Sequence, residues 1–308
     1  MALRIFCRDT TIQHREQLRH RGPLLVVANH PNSFLDAIII GAHFRHTVHF
    51  LARGDVFQKP RHSTMLRLLN MIPVYRMSEG KQNLHRNEDA FSRCKQILSK
   101  NGIVLIFIEG ICVNKHEMQP FKKGAARIAI ENGHLPGFQI LPLGIAYDSL
   151  KAFGKKVRID IAAPVPAGSL LPYDDDARNM RHFNEQLFEK ISALIHVPSI
   201  DNQPGTAAKK SLLVPALIGR ILHIPLYTVI KQIVWKKTTG TVFYDSVLFG
   251  ALLMAYPIYL LLIVWLLACF SFPVSLVLLV LVLHPFTAWA AVQVHKKTAR
   301  DQDSSQVA

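Results

Sequence analysis

A histidine and a nearby carboxylate, His30 and Asp36, are residue types suited to acid–base chemistry. Both lie in the segment Asn29–Asp36, directly after a short apolar run that predicts a strand. An imidazole can accept a proton from a hydroxyl, and a neighbouring carboxylate fixes its tautomer and stabilises the cation that forms. The pair therefore indicates a general base, although histidine beside aspartate is also common in purely structural roles.

Three further segments end predicted strands with residues that could bind a substrate. They are Ile72–Arg76 with the cation Arg76, Phe107–Gly110 with Glu109 and a glycine turn at Gly110, and Leu141–Tyr147 with Pro142. Taken singly each is unremarkable, because an arginine is usually a surface charge and a proline usually marks a strand edge or bulge. α/β folds bind ligands where strands meet loops, so the segments are expected at one edge of a sheet.

The order and spacing of these segments resemble the glycerophospholipid acyltransferase family, which includes glycerol-3-phosphate and 1-acylglycerol-3-phosphate (lysophosphatidate) acyltransferases. That family shows a His-x-x-x-x-Asp block, a strand ending in arginine, a Phe-Pro-Glu-Gly block and a later apolar block with proline. Counterparts of all four occur here in the same order, across roughly residues 24–147. The resemblance implies that His30 is a general base on the acceptor hydroxyl and that Asp36 orients it.

The resemblance also implies the substrates and their contacts. The donor would be an acyl thioester, acyl-CoA or acyl-carrier protein, and the acceptor a hydroxyl of glycerol-3-phosphate or lysophosphatidate, with no metal or organic cofactor. Arg76 would hold the acceptor phosphate. Glu109 and Gly110 would shape the acceptor pocket, and Pro142 would belong to the acyl-donor side.

The sequence departs from the family pattern in three places. His30 and Asp36 are separated by five residues rather than four, and Leu35 stands at the expected aspartate position. We expect a one-residue bulge in the loop after His30 to restore their contact. The longer spacing resembles some eukaryotic glycerol-3-phosphate acyltransferases and favours that acceptor. Phe-Pro-Glu-Gly is Phe-Ile-Glu-Gly here, and Ile111 and Cys112 replace the usual Thr-Arg, so one expected phosphate-binding cation is missing.

Two adjacent lysines, Lys122 and Lys123, offer a substitute for the missing cation. They directly precede Gly124, where a helix is predicted to begin. A helix N-terminus presents unpaired backbone N–H groups to an anion, and the lysines add positive charge. An ordinary solvated pair of surface lysines explains the same residues equally well.

The pattern of the first two hundred residues predicts alternating strands and helices. Strands are expected at 24–28, 47–52, 71–75, 103–108, 139–146 and 157–162, and helices at 34–42, 63–70, 124–131 and 177–195. A further helix is expected to begin at Asn87, as its cap, and to end near Gly102. Such alternation indicates an α/β layer fold. With the resemblance, this predicts a mixed sheet flanked by helices, similar to glycerol-3-phosphate acyltransferase.

The C-terminal part of the chain has the composition of membrane-spanning helices. No Asp, Glu, Lys or Arg occurs between Ser246 and Val294, a length that allows two crossings of a bilayer. We predict a transmembrane hairpin with spans near 246–269 and 273–294, broken around Pro273. Basic residues flank it on both sides: Lys236, Lys237, Lys296, Lys297 and Arg300. By the positive-inside tendency, both flanks and the catalytic domain belong on the cytoplasmic face.

The resulting organisation has four parts. An acyltransferase catalytic domain (1–200) is followed by a basic interfacial or linker segment (201–237), the hairpin (238–297) and a polar, disordered tail (298–308). Within the linker, prolines at 215 and 225 predict a broken helix on anionic headgroups, and a connecting helix packed on the catalytic domain is the alternative.

Composition narrows the remaining function classes. The net charge of +15 favours partners such as an anionic bilayer or a phosphorylated ligand, and four scattered cysteines fit a reducing compartment. The sequence contains no Gly-x-Ser-x-Gly motif, the nucleophile elbow expected of a lipid hydrolase. A nucleic-acid-binding function would not explain the predicted hairpin. The open alternatives are a non-catalytic membrane adaptor that keeps the fold, and an acyltransferase for another lysolipid or an amino-lipid. His43, His46 and His49 cross a predicted helix-to-strand boundary and indicate structural or surface roles rather than a metal site.

Overall fold

A computed structural model describes residues 2–75, 86–198 and 211–294. The strands are β1 (Cys7–Gln13), β2 (Leu24–Ala28), β3 (Val48–Arg53), β4 (Met71–Val74), β5 (Ile103–Phe107), β6 (Gln139–Tyr147), β7 (Lys155–Ile161) and β8 (Val165–Pro166). The helices are α1 (Ala2–Phe6), α2 (Phe34–His43), α3 (Pro60–Leu68), α4 (Arg86–Leu98), α5 (Gly124–Asn132), α6 (Asp176–Ser192), α7 (Leu213–Thr238), α8 (Tyr244–Cys269) and α9 (Val274–Val294). Short 3-10 turns cover Arg15–Arg19, Gly54–Phe57 and Ala167–Leu170.

The eight strands of the described residues form one mixed sheet, the type of sheet that the sequence predicts, although β1 and β8 were not predicted. The order is β1-β7-β6-β2-β5-β3-β4, with β8 pairing β6 beside β7. β2 lies at the centre, parallel to both β5 and β6, whereas β7 and β8 run antiparallel to β6. Ala28 pairs in register with Phe107 on one side and Leu143 on the other. The loops that follow β2 and β5 therefore leave the same edge of the sheet side by side.

Two hydrophobic cores cover the two faces of the sheet. Leu24, Val26 and Ala28 of β2 point into a core shared with α1 and α2, and Leu25 and Val27 point into one shared with α4, α5 and α6. All five side chains are fully buried. A strand buried on both faces reads as a continuous apolar run, which is why β2 and β5 are legible in the sequence.

Some local predictions need correction. Asn87 lies inside the first turn of α4, and its side chain accepts the Tyr75 N–H at 2.8 Å and donates to the Tyr75 carbonyl at 2.9 Å. It ties the chain after β4 to α4, so its interpretation as a helix cap is wrong. α3 begins three residues earlier than expected, with Pro60 at a helix N-terminus that proline suits.

Three long apolar helices follow the sheet. α8 and α9 form the two arms of the predicted hairpin, separated at Phe270–Pro273, and α7 is also long and apolar enough to cross a membrane. The predicted break in the linker helix is wrong, because α7 is continuous through Pro225. Pro215 falls in its first turn, where the missing N–H has no intrahelical partner to lose.

The apolar helices pack on the sheet domain. Val234 of α7 and Leu248 and Phe249 of α8 are buried in the same core as β2 and α2. Near the end of α9 the Gln293 side chain donates a hydrogen bond to the Arg8 carbonyl at 3.0 Å. One face of the sheet is thus covered by helices that also have the composition of membrane spans.

Candidate active site

His30 and Asp36 are in direct contact. His30 follows β2 and Asp36 lies in the first turn of α2, and the imidazole Nδ1 lies 2.9 Å from the carboxylate Oδ2. The Asp36 side chain is fully buried, whereas 16% of the His30 side chain is exposed. A carboxylate at a helix N-terminus is favoured by the unpaired N–H groups there. The arrangement is a buried carboxylate behind an imidazole that is accessible from outside.

Ser33, between the two, has an unusual backbone conformation. Its backbone has φ 53° and ψ −142°, a conformation that non-glycine residues rarely adopt. The Ser33 N–H donates to the Cys112 sulfur at 2.9 Å, and the Ser33 carbonyl accepts the Asp36 N–H at 3.1 Å. The loop between His30 and Asp36 is therefore irregular at Ser33, and contacts with Cys112 and Asp36 hold this conformation.

Two more donors fix the Asp36 carboxylate. The Asn32 N–H donates to Oδ2 at 2.8 Å, and the Tyr147 hydroxyl donates to Oδ1 at 2.5 Å. Burial, together with the charge of Asp36, raises the pKa of the fully buried Tyr147 well above its ordinary value of 10. Tyr147 therefore remains a hydrogen-bond donor at physiological pH.

The imidazole of His30 is also held by stacking. Its ring lies 3.8 Å from the Phe107 ring, centroid to centroid, at an interplanar angle of 11°. The other nitrogen, Nε2, forms no hydrogen bond with any residue that the structure describes. One ring nitrogen is therefore oriented by Asp36, and the second is available to a substrate hydroxyl.

Glu109 supports the backbone at His30. It follows β5 and is almost completely buried, and its carboxylate accepts the His30 N–H at 3.2 Å. Burial raises the pKa of Glu109 from 4.5 to about 7, the Asp36 charge adds to this rise, and backbone hydrogen bonds from His30 and Gln119 oppose it. The group therefore titrates near neutral pH, directly beneath the candidate base.

The residues predicted around the acceptor are partly brought together. Gly110 has φ +63°, and a Cβ added there would lie 2.8 Å from Cγ of Lys122. The Lys122 N–H donates to the Ile108 carbonyl at 2.9 Å, which places this lysine beside the end of β5. Lys122 and Lys123 are both exposed just before α5.

The remaining predicted site residues are Arg76 and Pro142. Arg76 falls outside the residues that the structure describes. Pro142 is buried in β6, in register with Val27, at the point where the partner on its other side changes from β8 to β7. A proline is tolerated there because the pairing is interrupted. Its carbonyl accepts the Ala162 N–H at 3.1 Å, so Pro142 is part of the sheet rather than of the exposed edge.

Sequence reasoning assigned no role to several residues that shape the site. Tyr147 and Asn32 hold Asp36, and the Asn29 side chain bridges to the Ile145 N–H and carbonyl at 2.8 and 2.9 Å. A signal was present for Tyr147, since a polar tip at the end of a buried apolar strand needs a partner. Asn29 and Asn32 flank His30, but their partners depend on which strands are neighbours.

Comparison with known proteins finds similarity over the part of the chain that holds the candidate site. Residues 9–146 match the family model described as Acyltransferase. A chloroplastic 1-acyl-sn-glycerol-3-phosphate acyltransferase of Brassica napus is 30% identical over 128 residues, covering 40% of this chain and 34% of that protein. A chloroplastic enzyme of the same name from Arabidopsis thaliana is 29% identical over 114 residues, covering 36% and 29%. The match therefore spans about a third of each relative's length.

A solved structure is also similar. It is the 1-acyl-sn-glycerophosphate acyltransferase of Thermotoga maritima, with a TM-score of 0.45 and 20% sequence identity over 63% of this chain and 75% of that chain. His30, Asp36, Glu109 and the two lysines all lie within the segment that matches the family model.

Proposed function

We propose that this chain, whose residues 9–146 match the acyltransferase family model, belongs to that family and transfers a fatty acyl group from an acyl thioester to the hydroxyl of lysophosphatidate. The observation that carries the proposal is the 2.9 Å contact between His30 Nδ1 and the buried Asp36 carboxylate. It leaves Nε2 as the nitrogen that faces the reaction. An imidazole held in this way is suited to act as a general base on a hydroxyl.

The reaction that follows is an acyl substitution. Asp36 accepts the Nδ1–H of His30, and Nε2 removes the acceptor proton while the acceptor oxygen attacks the thioester carbonyl. The tetrahedral intermediate collapses to an ester and releases a thiolate, which takes the proton back from the imidazolium. One C–O bond forms and one C–S bond breaks. The thiolate is a good leaving group, so the proposal includes no metal or organic cofactor.

The acceptor is proposed from the relatives and from the charges at the site. Both plant relatives are named 1-acyl-sn-glycerol-3-phosphate acyltransferases, which supports lysophosphatidate over the glycerol-3-phosphate that the loop spacing favours. Arg76, Lys122 and Lys123 are the proposed cations for its phosphate. Gly110 keeps the acceptor side open beside Lys122. Pro142 is buried, so its proposed contribution to the acyl-donor side is through the shape of β6.

Attachment to the bilayer belongs to the same proposal. We propose that α8 and α9 cross the membrane and that the catalytic domain lies on its cytoplasmic face, since both flanks of the hairpin are basic. Lysophosphatidate and the acylated product are amphiphiles. A catalytic domain held at the bilayer meets them at a raised effective concentration.

An acyl-transfer assay on membranes containing the full chain tests this function. Glycerol-3-phosphate, lysophosphatidate and a phosphate-free lysolipid are offered, each with acyl-CoA or acyl-carrier protein as donor. We expect lysophosphatidate to be the preferred acceptor. His30→Ala should lower kcat by about 10²–10⁴-fold, the usual contribution of a general base. His134→Ala, at an exposed histidine after α5, is the matched control.

Two outcomes would contradict the proposal. Undiminished transfer by His30→Ala would remove the histidine from the mechanism. A folded wild-type protein that transfers no acyl group to any of the three acceptors would favour the adaptor alternative instead.

A further inference from the structure

The first turn of α8 caps the helix that carries Asp36. The Ser246 hydroxyl accepts the Leu35 N–H at 3.0 Å, one of the N–H groups at the start of α2 that have no partner within the helix. The N-cap residue of α2 itself, Ser33, forms no side-chain capping bond. The cap of α2 is thus supplied by an apolar helix more than two hundred residues further along the chain.

Asp245, next to Ser246, contacts the loop that precedes α2. Its carboxylate accepts a hydrogen bond from the Asn32 side chain at 2.9 Å and forms an ion pair with Lys155. The side chains of Asp245 and Lys155 are completely buried, and so is Asn32. A charge pair this deep is stable only while both partners and their hydrogen bonds are in place.

These contacts lead to the candidate base in two steps. Asp245 fixes the side chain of Asn32, and the N–H of Asn32 donates to Asp36 Oδ2 at 2.8 Å. That oxygen also contacts His30 Nδ1 at 2.9 Å. A displacement of about 1 Å at a catalytic group can cost about 10²-fold in rate, so the position of α8 matters to the chemistry.

The polar contacts do more than attach α8 to the domain. Leu248 and Phe249 already bury the next turn of α8 in the core beneath the sheet. Replacing a buried ion pair by well-packed apolar residues is often neutral or stabilising. Attachment alone would therefore be served by more apolar side chains at positions 155 and 245, whereas Asp245 and Ser246 bind particular atoms of the catalytic loop.

We propose that Asp245 and Ser246 are positioning residues of the active site, so that the geometry of His30 and Asp36 depends on how the apolar helix α8 is seated. The kinetic part of this inference rests on the proposed acyl transfer. The structural part, a clamp on residues 32–36 from the first turn of α8, does not.

Substitution of Ser246 tests the cap. Ser246→Ala should lower kcat by about 10-fold with little change in the KM for either substrate, because the base is displaced and no substrate contact is lost. Ser246→Thr keeps the hydroxyl and should retain most of the activity. Ser275→Ala, at an exposed serine at the start of α9, is the control. Equal kcat values for the alanine and threonine variants at position 246 would overturn this part of the proposal.

A pair of double variants tests Asp245 without leaving Lys155 as an unpaired buried charge. Lys155→Met with Asp245→Asn removes both charges and keeps an oxygen that can accept the Asn32 hydrogen bond. Lys155→Met with Asp245→Leu removes that acceptor as well. We expect the leucine combination to have a kcat about 10-fold below the asparagine combination. Equal kcat values for two folded proteins would show that Asp245 does not act through Asn32.

Amide hydrogen exchange separates the clamp from the proposed reaction. Exchange at the Leu35 amide should be at least about 10-fold faster in Ser246→Ala than in the wild type or Ser275→Ala, because a protecting hydrogen bond is lost. Unchanged protection would overturn the clamp. If the wild type transferred no acyl group, the proposed function would fail, and the exchange result would still decide the structural part.

Discussion

At the scale of single residues, the Asp36 carboxylate is held by three donors. His30 and the Asn32 N–H share Oδ2, and the Tyr147 hydroxyl alone serves Oδ1. A carboxylate that is held at both oxygens keeps its position and its direction, and it therefore keeps the imidazole beside it oriented. Tyr147 therefore supports the His30–Asp36 pair as directly as the loop does.

Tyr147→Phe tests that support. Removing the hydroxyl leaves Asp36 Oδ1 without its donor, which should cost about 1.5–3 kcal/mol of the free energy of unfolding, as for hydrogen bonds to charged groups. We expect kcat to fall by about 10-fold as Asp36 becomes mobile. Tyr173→Phe, at an exposed tyrosine, is the control. Thermal unfolding in detergent and acyl-transfer rates measure the two effects, and an unaltered kcat would show that Asn32 alone suffices.

Glu109 should make stability depend on pH. Burial raises its pKa from 4.5 to about 7, so between these values the folded protein holds a proton that the unfolded chain has lost. The contribution of Glu109 to stability is therefore greatest at low pH and falls as the pH rises through 7. Glu109→Gln should remove this part of the decline between pH 5 and 8. Thermal unfolding at pH 5 and at pH 8 measures this decline in stability, with Glu185→Gln at an exposed glutamate as the control. An equal decline in the wild type and in Glu109→Gln would contradict the raised pKa of Glu109.

A contact between two site residues can be predicted from the sequence when both lie in one short segment. His30 and Asp36 lie only six positions apart, in one strand-to-helix connection and the first turn that follows it, so their contact could be predicted even with one residue more than the family pattern. Tyr147 and Asn32 act through strands and backbone atoms whose proximity depends on the register of β2 with β6. Asp245 lies just before the first predicted span of the hairpin, where no periodicity indicates that its partner is a loop near the other end of the chain.

At the scale of elements, α7 and α9 approach each other unusually closely. A Cβ on Gly219 would overlap the backbone carbonyl oxygen of Thr287, whereas a Cβ on Gly250 of α8 would meet nothing within 4 Å. Small residues at helix crossings allow such close packing in membrane proteins. Gly219 is therefore required at the crossing, and Gly250 is not.

Alanine substitutions at the two glycines form a matched pair. Gly219→Ala must push α7 away from α9 and should destabilise the protein by about 1–3 kcal/mol, in the usual range for overpacking. Gly250→Ala should leave stability unchanged or raise it slightly, because alanine favours helix. Thermal unfolding of the purified protein in detergent compares them. Equal unfolding temperatures would mean that the crossing is not closely packed in solution.

The predictability of elements follows from their burial. β2, β5 and β6 are covered on both faces, so their apolar runs are visible in the sequence. β1 was not predicted because it is an edge strand of mostly polar residues, alternately half-buried and exposed. The break in α7 was wrongly predicted because proline is costly in an isolated helix, whereas here the apolar side chains pack on neighbouring elements.

At the scale of the whole molecule, the edge of the sheet that carries the candidate site lies next to the start of α8. Ser246 reaches the loop after β2, and the Arg53 guanidinium at the end of β3 lies 6.0 Å from the Phe243 ring. If α8 crosses the bilayer, the candidate base sits near the membrane surface, where a lysophospholipid hydroxyl would be presented. In this arrangement a lysophospholipid would reach the candidate base without leaving the bilayer for water.

The position of α7 decides between two and three proposed crossings for the helices that the structure describes. Arg220 and Lys231 are exposed within this helix, and a charge at the centre of a bilayer is costly. Its second half packs on the domain instead, where Tyr227 lies 5.1 Å from Phe153, between ring centroids, and Val234 is buried. These contacts favour α7 as a helix at the interface, and α8 and α9 remain the two proposed spans.

Single cysteines introduced around the helices can distinguish two crossings from three. In a variant whose native accessible cysteines, Cys112 and Cys269, are replaced, Ser211→Cys and Gly240→Cys bracket α7, and Ser271→Cys marks the turn of the hairpin. With two spans, an impermeant maleimide should label positions 211 and 240 from the side of the catalytic domain and position 271 from the other. Labelling of 211 and 240 from opposite sides would show that α7 also crosses. The catalytic domain would then lie on the opposite side of the membrane from residue 211 or from residue 240, and the close contact of α7 with Phe153 would have to be lost in the bilayer.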